Sequence, residues 1–471
     1  MIESIQGTNA NLRPYPIYLD VDLLDKMPEN WEIKKLIHIA SSELNSFVDG
    51  PFGSDLKNEE YQDSGVPLIQ LNNIRDGRHI SNNLKFISEK KAKDLERHII
   101  LPGQIAIAKM ADPVARAAIV NSTYSRYVVV ADCVKFAPND KSGFAPFIVY
   151  SINSPYIRYQ AELLSTGTTR LRINLVQIKK LRILLPSLSE QHAIAAFLNR
   201  ETAKIDALIA KKERLIELLQ EKRAALISHA VTKGIDPSVP MKDSGVEWLG
   251  EIPEHWKIGI KLSRIANEER NSFVNGPFGS DLLTSELKNE GVPVIYIRDI
   301  KLNNYIRVSE SYVSKDKANE LDNFRVDPKD VLVAKVGDPP GTTAVYPENE
   351  PVGIVTQDVI RIKINSKLAL PIYISHLFNS KFMGNLIDTI SIESTRTRIS
   401  LGSFKQLRIM LPSVEEQKDI IAFLDCKTNK INMLILKIQK AIGTLKEYRT
   451  ALISAAVTGK IDVRDEAGVV A

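Results

Sequence analysis

The sequence predicts an α+β chain that is internally duplicated. Two mixed α/β domains are expected to be held apart by an antiparallel coiled coil of two long helices. The whole is expected to be pseudo-two-fold and circularly closed. Three observations carry this. A twelve-residue string occurs twice, "NSFVDGPFGSDL" at 45–56 and "NSFVNGPFGSDL" at 271–282, differing only at Asp49 and Asn275. Short β-branched runs separated by Gly, Pro and Asn fill one part of each repeat. A proline-free stretch with apolar residues stepping by four and three fills the other.

The repeat extends well past that string, at an offset of 226 residues. Gly65-Val66-Pro67 matches Gly291-Val292-Pro293, Lys109 matches Lys335, and Asp112-Pro113 matches Asp338-Pro339. "TRLRI" at 169–173 matches "TRTRI" at 395–399, "LPSLSEQ" at 185–191 matches "LPSVEEQ" at 411–417, and "ALISHAVT" at 225–232 matches "ALISAAVT" at 451–458. "MPENW" at 27–31 matches "IPEHW" at 252–256 at an offset of 225. The expected boundaries are a first head within 1–186, a first long helix at 187–234, a linker and second head at 235–412, a second long helix at 413–460 and a tail at 461–471.

Each head contains runs such as "VPLIQL", "QIAIAKM", "VPVIYI" and "DVLVAKV", which predict a twisted, mostly antiparallel sheet, with shorter helices at 145–164 and 371–388. In the long helices, Ser187 or Ser189 is expected to cap a helix opening near Glu190, and Gly234 and Gly459 sit where the helices should stop. The predicted seam runs through 194, 198, 201, 205, 208, 212, 215, 219, 222 and 226, with its counterpart from 420 to 452. A helix of about 44 residues is about 66 Å long. The first helix runs from head one to head two, so a partner packed on its seam must run back. The segment before Trp31 is then expected beside the end of the second helix, because its twin before Trp256 directly follows the first. Off-seam residues Ile209, Ile216, Leu218 and Ile435 mark a spare apolar stripe, of the kind that docks a partner or widens a bundle face.

The chain has 471 residues, 44% hydrophobic and 25% charged, enough for two or more cores. Cys133 and Cys426 cannot form a disulfide framework, which fits a reducing, cytoplasmic setting. The N-terminal "MIESIQGTNANLRPYP" lacks a basic-then-apolar signal pattern, and no run approaches 18 apolar residues, so secretion and membrane spanning are not expected. Net charge is +5; residues 32–186 hold 21 Lys/Arg against 15 Asp/Glu, and 257–412 hold 21 against 18. This permits a polyanionic partner without requiring one.

The duplicated "GPFGSDL", the helix opening "LPSLSEQHAIAAFL", the helix close "KRAALISHAVTKGID" and the linker "MKDSGVEWLGEIPEHW" at 241–256 resemble the specificity subunit of type I restriction–modification enzymes, over residues 14–463. That resemblance implies two target recognition domains separated by two conserved long helices. It implies double-stranded DNA bound at a bipartite, asymmetric site, with docking of two methyltransferase subunits and of motor-endonuclease (restriction) subunits. It also implies a non-catalytic chain without a cofactor of its own; S-adenosylmethionine, ATP and Mg2+ are expected in the partner subunits.

The residues agree with that implication. No GxxxxGK[ST] phosphate loop occurs, and the seven histidines are scattered, with no HExxH or His/Cys cluster for a metal. "DPPG" at 338–341 resembles the DPPY/F motif of amino-methyltransferases, but Gly341 stands where the stacking aromatic belongs and the twin reads "DPVA". Asp-Pro opening a loop after a strand is the simpler reading.

Candidate DNA contacts fall into shared and differing positions. Thr169, Arg170 and Arg172, with Thr395, Arg396 and Arg398, combine hydroxyls and guanidinium groups suited to phosphate oxygens. Lys109 and Lys335 at strand ends are candidates for the same role, and Ser54 and Ser280 for backbone contact. The alternative for these Thr/Arg groups and lysines is that they are ordinary exposed basic residues or internal salt bridges. Specificity is expected where the heads differ: Asn72, Asn73, Arg75, Arg78 and Arg116 in one, Arg298, Lys301, Asn303 and Asn304 in the other. Arg pairs with guanine and Asn with adenine in the major groove, although both are also common turn residues. The alternatives are a self-contained DNA methyltransferase and a coiled-coil spacer whose heads bind something other than DNA.

Overall fold

The strands of the first head recur in the second at the same offset of 226 residues. In the computed structural model, which describes residues 18–21, 25–110, 113–167, 171–337, 339–392 and 397–465, head one holds β1 (Phe47–Asp49), β2 (Val66–Ile69), β3 (Ile74–Arg75), β4 (Gly77–His79), β5 (Phe86–Ile87), β6 (Ile99–Ile100), β7 (Ile105–Ala108), β8 (Ala117–Ile119), β9 (Tyr127–Val129) and β10 (Cys133–Phe136). They form two sheets, not the single sheet expected: β1-β10-β7-β8-β4-β3 and β5-β2-β9-β6. Pairing is antiparallel except between β2 and β9 and between β8 and β4. The runs Ile105–Ala108 and Val331–Ala334 are buried at every position. Strands covered on both faces need apolar residues throughout, which is why these runs do not alternate.

Head two repeats both sheets, but its hairpin Ile300–Lys301/Asn304–Tyr305 is not laddered to the strand Thr343–Val345 and meets it through the Asn303 amide, which donates to the Thr343 carbonyl. The predicted helices at 145–164 and 371–388 are each two helices, Ala145–Ile152 with Pro155–Leu164 and Pro371–Phe378 with Lys381–Asp388. Pro155 excludes helical backbone before it, and Ser380 caps a new start by accepting from the Met383 amide. At each break an asparagine docks the helix on a strand: Asn153 accepts from the Ala117 amide and donates to its carbonyl, and Asn379 does the same with Thr343.

The long helices span Leu188–Lys233 and Val414–Val457. The repeated "SEQ" and "EEQ" openings have a physical reason. The Ser187 and Ser413 hydroxyls accept from the amides of Glu190 and Glu416, capping the first turn. Glu190 receives the Trp31 indole at 3.1 Å, and Glu416 that of Trp256 at 2.9 Å. Gln191 and Gln417, fully buried, pin the head by accepting from the amides of Phe144 and Leu370 and donating to carbonyls on both sides. Gly234 and Gly459 end the helices at φ +76° and +70°. Gly459 packs against Pro28 and Trp31, and Gly234 against Pro253 and Trp256, as expected from the closed connectivity.

The chain divides into two compact units, Met1–Lys212 with Gln439–Ala471, and Glu213–Ile438, so each unit holds part of both long helices. Within the first, Asp206 meets Arg449; within the second, Arg223 meets Asn432, and Gly234, just past the first helix, lies against Glu416. A rising number on one helix meets a falling number on the other, which makes the pair antiparallel. The seam differs from the predicted one. Ile194, Leu198, Thr202, Ile205 and Ile209 are buried, while Leu208 and Leu215 are exposed. Two successive steps of four, through Thr202, move the interior stripe by one position. Ile209 and Ile435 therefore belong to the seam, Ile216 is half-buried, and of the expected spare stripe only Leu218 is exposed.

Candidate nucleic-acid interface

Arg172 and Arg398, from the repeated "TRLRI" and "TRTRI" strings, are brought to the end of β7 and of its twin. In head one, Arg172 bridges Met110 and Thr166, and the Ile173 amide donates to the Lys109 carbonyl. In head two, Arg398 bridges Val336, and the Ile399 amide donates to the Lys335 carbonyl. Thr169, Arg170, Thr395 and Arg396 lie outside the described residues.

An aspartate completes each cluster. Arg172 donates to Asp132 at 2.7 Å, and Arg398 to Asp358 at 3.5 Å. The Lys109 and Lys335 amides donate to the carbonyls of the same two aspartates. Asp132 and Asp358 are themselves an identity at offset 226, so the repeat alone could have flagged them. Lys109 takes the internal salt-bridge alternative rather than that of an open strand-end contact. It is buried, with its ammonium 3.2 Å from Asp49. Lys335 is half-buried, and burial, then the neighbouring Arg398, holds its ammonium below the usual lysine range, with Asp358 opposing.

The second group follows the turn after β2 and its twin. Asn73 is fully buried; its side-chain oxygen accepts from the Gln70 amide and its amide group donates to Ile80 and Asn82. Its twin Asp299 is likewise buried, accepting from the amides of Tyr296, Val308 and Ser309. Position 73 is therefore framework and offers no edge to a base. Asn303 sits at φ +56°, where the twin is Gly77, and its side-chain oxygen is taken by Ser375 and Asn379. Arg116 is half-buried, donating to the Leu71 carbonyl. Arg78 is exposed but turned to the long helix, 2.9 Å from Asp206.

Asn72, Arg75, Lys301 and Asn304 are exposed. Arg298 is exposed too, lying over the Tyr296 ring with its Nε donating to Ser309. Ser54 and Ser280 are exposed on the twin loops, each donating to the following aspartate. Those loops also present Phe52 and Phe278 to solvent.

Gly341 has φ +94°, and a Cβ there would meet the Ile387 side chain at 2.3 Å. Position 341 thus has no room for a stacking aromatic. Among the described residues, no group of His, Cys, Asp and Glu is placed to hold a metal, and no helix is long and apolar enough to cross a membrane.

Two homologous heads, each with a basic strand-end cluster and an exposed polar turn, define a duplicated recognition protein built on shared helices. The family model for the type I restriction modification DNA specificity domain matches residues 28–218 and 279–442, and the chain belongs to that family. It is 20% identical over 449 residues to the type I restriction enzyme StySPI specificity subunit of Salmonella potsdam, covering 93% of this chain and 90% of that one. It is 22% identical over 447 residues to the EcoKI specificity subunit of Escherichia coli K12, with the same coverage. Among solved structures, a chain from work on complex assembly and conformational transition of the type I R-M system aligns with a TM-score of 0.63 at 16% identity, over 92% of this chain and 99% of that one. The HsdS subunit from Thermoanaerobacter tengcongensis aligns with a TM-score of 0.50 at 15% identity, over 92% and 98%. These relatives are specificity subunits, and nothing in the matches supports a self-contained methyltransferase.

Proposed function

We propose that this chain is the DNA-recognition and scaffolding subunit of a type I restriction–modification complex, acting in the cytoplasm. Each head reads one half of a bipartite target in double-stranded DNA. The two long helices set the spacing of the half-sites and dock two methyltransferase subunits. Motor-endonuclease subunits complete the assembly. Methyl transfer, ATP hydrolysis and cleavage belong to the partners, with their S-adenosylmethionine, ATP and Mg2+. The observation that carries this reading is the duplication itself: two heads of one fold, with matching strand-end clusters at Arg172 and Arg398, differ in the exposed turn that follows β2 and its twin.

Within that reading, Asn72 and Arg75 in head one, and Arg298, Lys301 and Asn304 in head two, are the base-reading candidates. Arg172 and Arg398, with Thr169, Arg170, Thr395 and Arg396, are the phosphate candidates, together with Ser54 and Ser280. Asn73, Asn303 and Arg116 act as supports. The docking surface is an exposed apolar set at mid-helix in the second unit: Leu215, Leu218, Met433, Leu434 and Leu436.

Methylome mapping of DNA from cells expressing this chain with its methyltransferase partner tests the reading. A motif split by an unread spacer is expected; a continuous motif overturns it. In the same assembly, Leu218→Glu with Leu436→Glu is expected to abolish capture of the methyltransferase by a folded chain. Undiminished capture removes the helices as the docking surface.

A further inference from the structure

The only difference between the twin strings is Asp49 against Asn275, and it falls on the basic cluster. In head one, Asp49 sits at the end of β1 with its carboxylate 3.2 Å from the buried Lys109 ammonium. Lys109 and Arg172 therefore face two carboxylates, Asp49 and Asp132. In head two, Asn275 carries no charge and its amide donates to the Gly276 carbonyl. Among the described residues, Lys335 and Arg398 share Asp358 alone, and that contact is the longer of the two aspartate–arginine pairs at 3.5 Å. Among the described residues, Lys109 and Arg172 thus have two carboxylate partners where Lys335 and Arg398 have one.

We propose that Lys335 and Arg398 together form a binding site for one phosphate of the DNA backbone in head two, and that Asp49 withdraws Lys109 from the equivalent site in head one, leaving Arg172 alone there. This rests on the reading of the chain as a DNA-recognition subunit and specifies how its heads divide the work. Several features favour an anion there. Lys335 is half-buried, so its charge is poorly solvated. Burial and the adjacent guanidinium both disfavour its protonated form, and a phosphate between the two cations relieves both. Arg398 keeps half of its side-chain surface open, so its guanidinium can hold a phosphate oxygen while bonded to Asp358. In head one, an incoming phosphate would have to displace Asp49 from a lysine with little exposed surface, 8% of its side chain. The twin strings thus combine a shared scaffold with one residue that sets local charge.

The test measures duplex binding by the full chain assembled with its methyltransferase subunits, as a function of salt. The duplex carries the target found by methylome mapping, with a scrambled duplex for comparison. Each phosphate contact adds about 1 to the slope of log affinity against log salt. Lys335→Ala is expected to lower that slope by about 1 and to weaken both duplexes alike, since a phosphate contact carries no sequence. Asn275→Asp keeps Lys335 and supplies the missing carboxylate; it should reproduce the loss. Asp49→Asn should do the opposite and steepen the slope. Unchanged slopes in Lys335→Ala and Asn275→Asp, with methyltransferase capture retained, overturn the site while leaving the DNA-recognition reading intact. Absence of duplex binding by the unaltered assembly overturns that reading and the site with it.

Discussion

The two heads share their framework down to single hydrogen bonds and differ in how charge is spent. Serine cap, tryptophan–glutamate bond, buried glutamine and asparagine-docked helix occur twice with the same partners. The differences are electrostatic. Asp206 binds both Arg78 and Arg449 in head one's unit, where its twin Asn432 takes Arg223 alone. The cavity enclosed by hairpin, short helix and long helices is about 510 Å³ in the first unit and about 760 Å³ in the second. Head two instead buries Arg361 beside Asp330, at positions where head one has Lys135 and Gln104. The supports recur in both heads, and the charged contacts are where the two differ.

The sharpest way to break the claim of a shared framework is at Gly50 and Gly276. A Cβ on either would lie 2.1–2.2 Å from a backbone carbonyl, of Val130 or Val355. Gly50→Ala and Gly276→Ala should each destabilise their own head by about 3 kcal/mol, with loss of hydrogen-exchange protection confined to that head. Unequal losses, or none, would mean that the loops are not equivalent supports.

A smaller effect separates the two coil contacts. Asp206→Ala should cost about 1 kcal/mol at low salt and less at high salt, because Arg78 is well exposed and the pairing is screened. Asn432→Ala removes a hydrogen bond that the Arg223 guanidinium donates to a neutral amide, a similar cost with little salt dependence. Denaturant titrations at two ionic strengths distinguish the pair.

The smallest predicted difference is in acid. Burial holds His79 and His98 in head one, and His376 in head two, below the ordinary histidine range. The unfolded chain then binds more protons, so each contributes stability that is lost as pH falls through the unfolded histidine value, 6.5. Asp330 works the other way. Burial pushes its carboxyl up to about 6, so head two gains stability as pH falls through that value. Hydrogen exchange from about pH 7 to about pH 5 should show head one losing more protection than head two. Asp330→Asn should remove the offset.

Much of this architecture was legible because repetition samples each requirement twice. The offset of 226 residues relates the strands, both long helices and their caps, and the glycine stops lie one short of it, at 225. Apolar periodicity predicts the helices and seam positions such as Ile194, Leu198 and Ile205, but places alternate positions from 201 onward one residue early, because the interior step at Thr202 is polar and no apolar count registers it. The candidate contacts were read less well. Asn73 and Arg75 look alike in a sequence as polar turn residues, yet one is fully buried and the other exposed.

By itself, the sequence determined the duplication, the helix lengths and stops, and the closed connectivity, since local propensity and repeat spacing are properties of the chain. Only the tertiary structure decided which polar residues are supports and which face outward, because that depends on backbone groups brought together from distant positions. Lys109 shows the difference most plainly. Its identity with Lys335 is a fact of sequence, but its neutralisation follows from β1 lying beside β10 and carrying Asp49 to it.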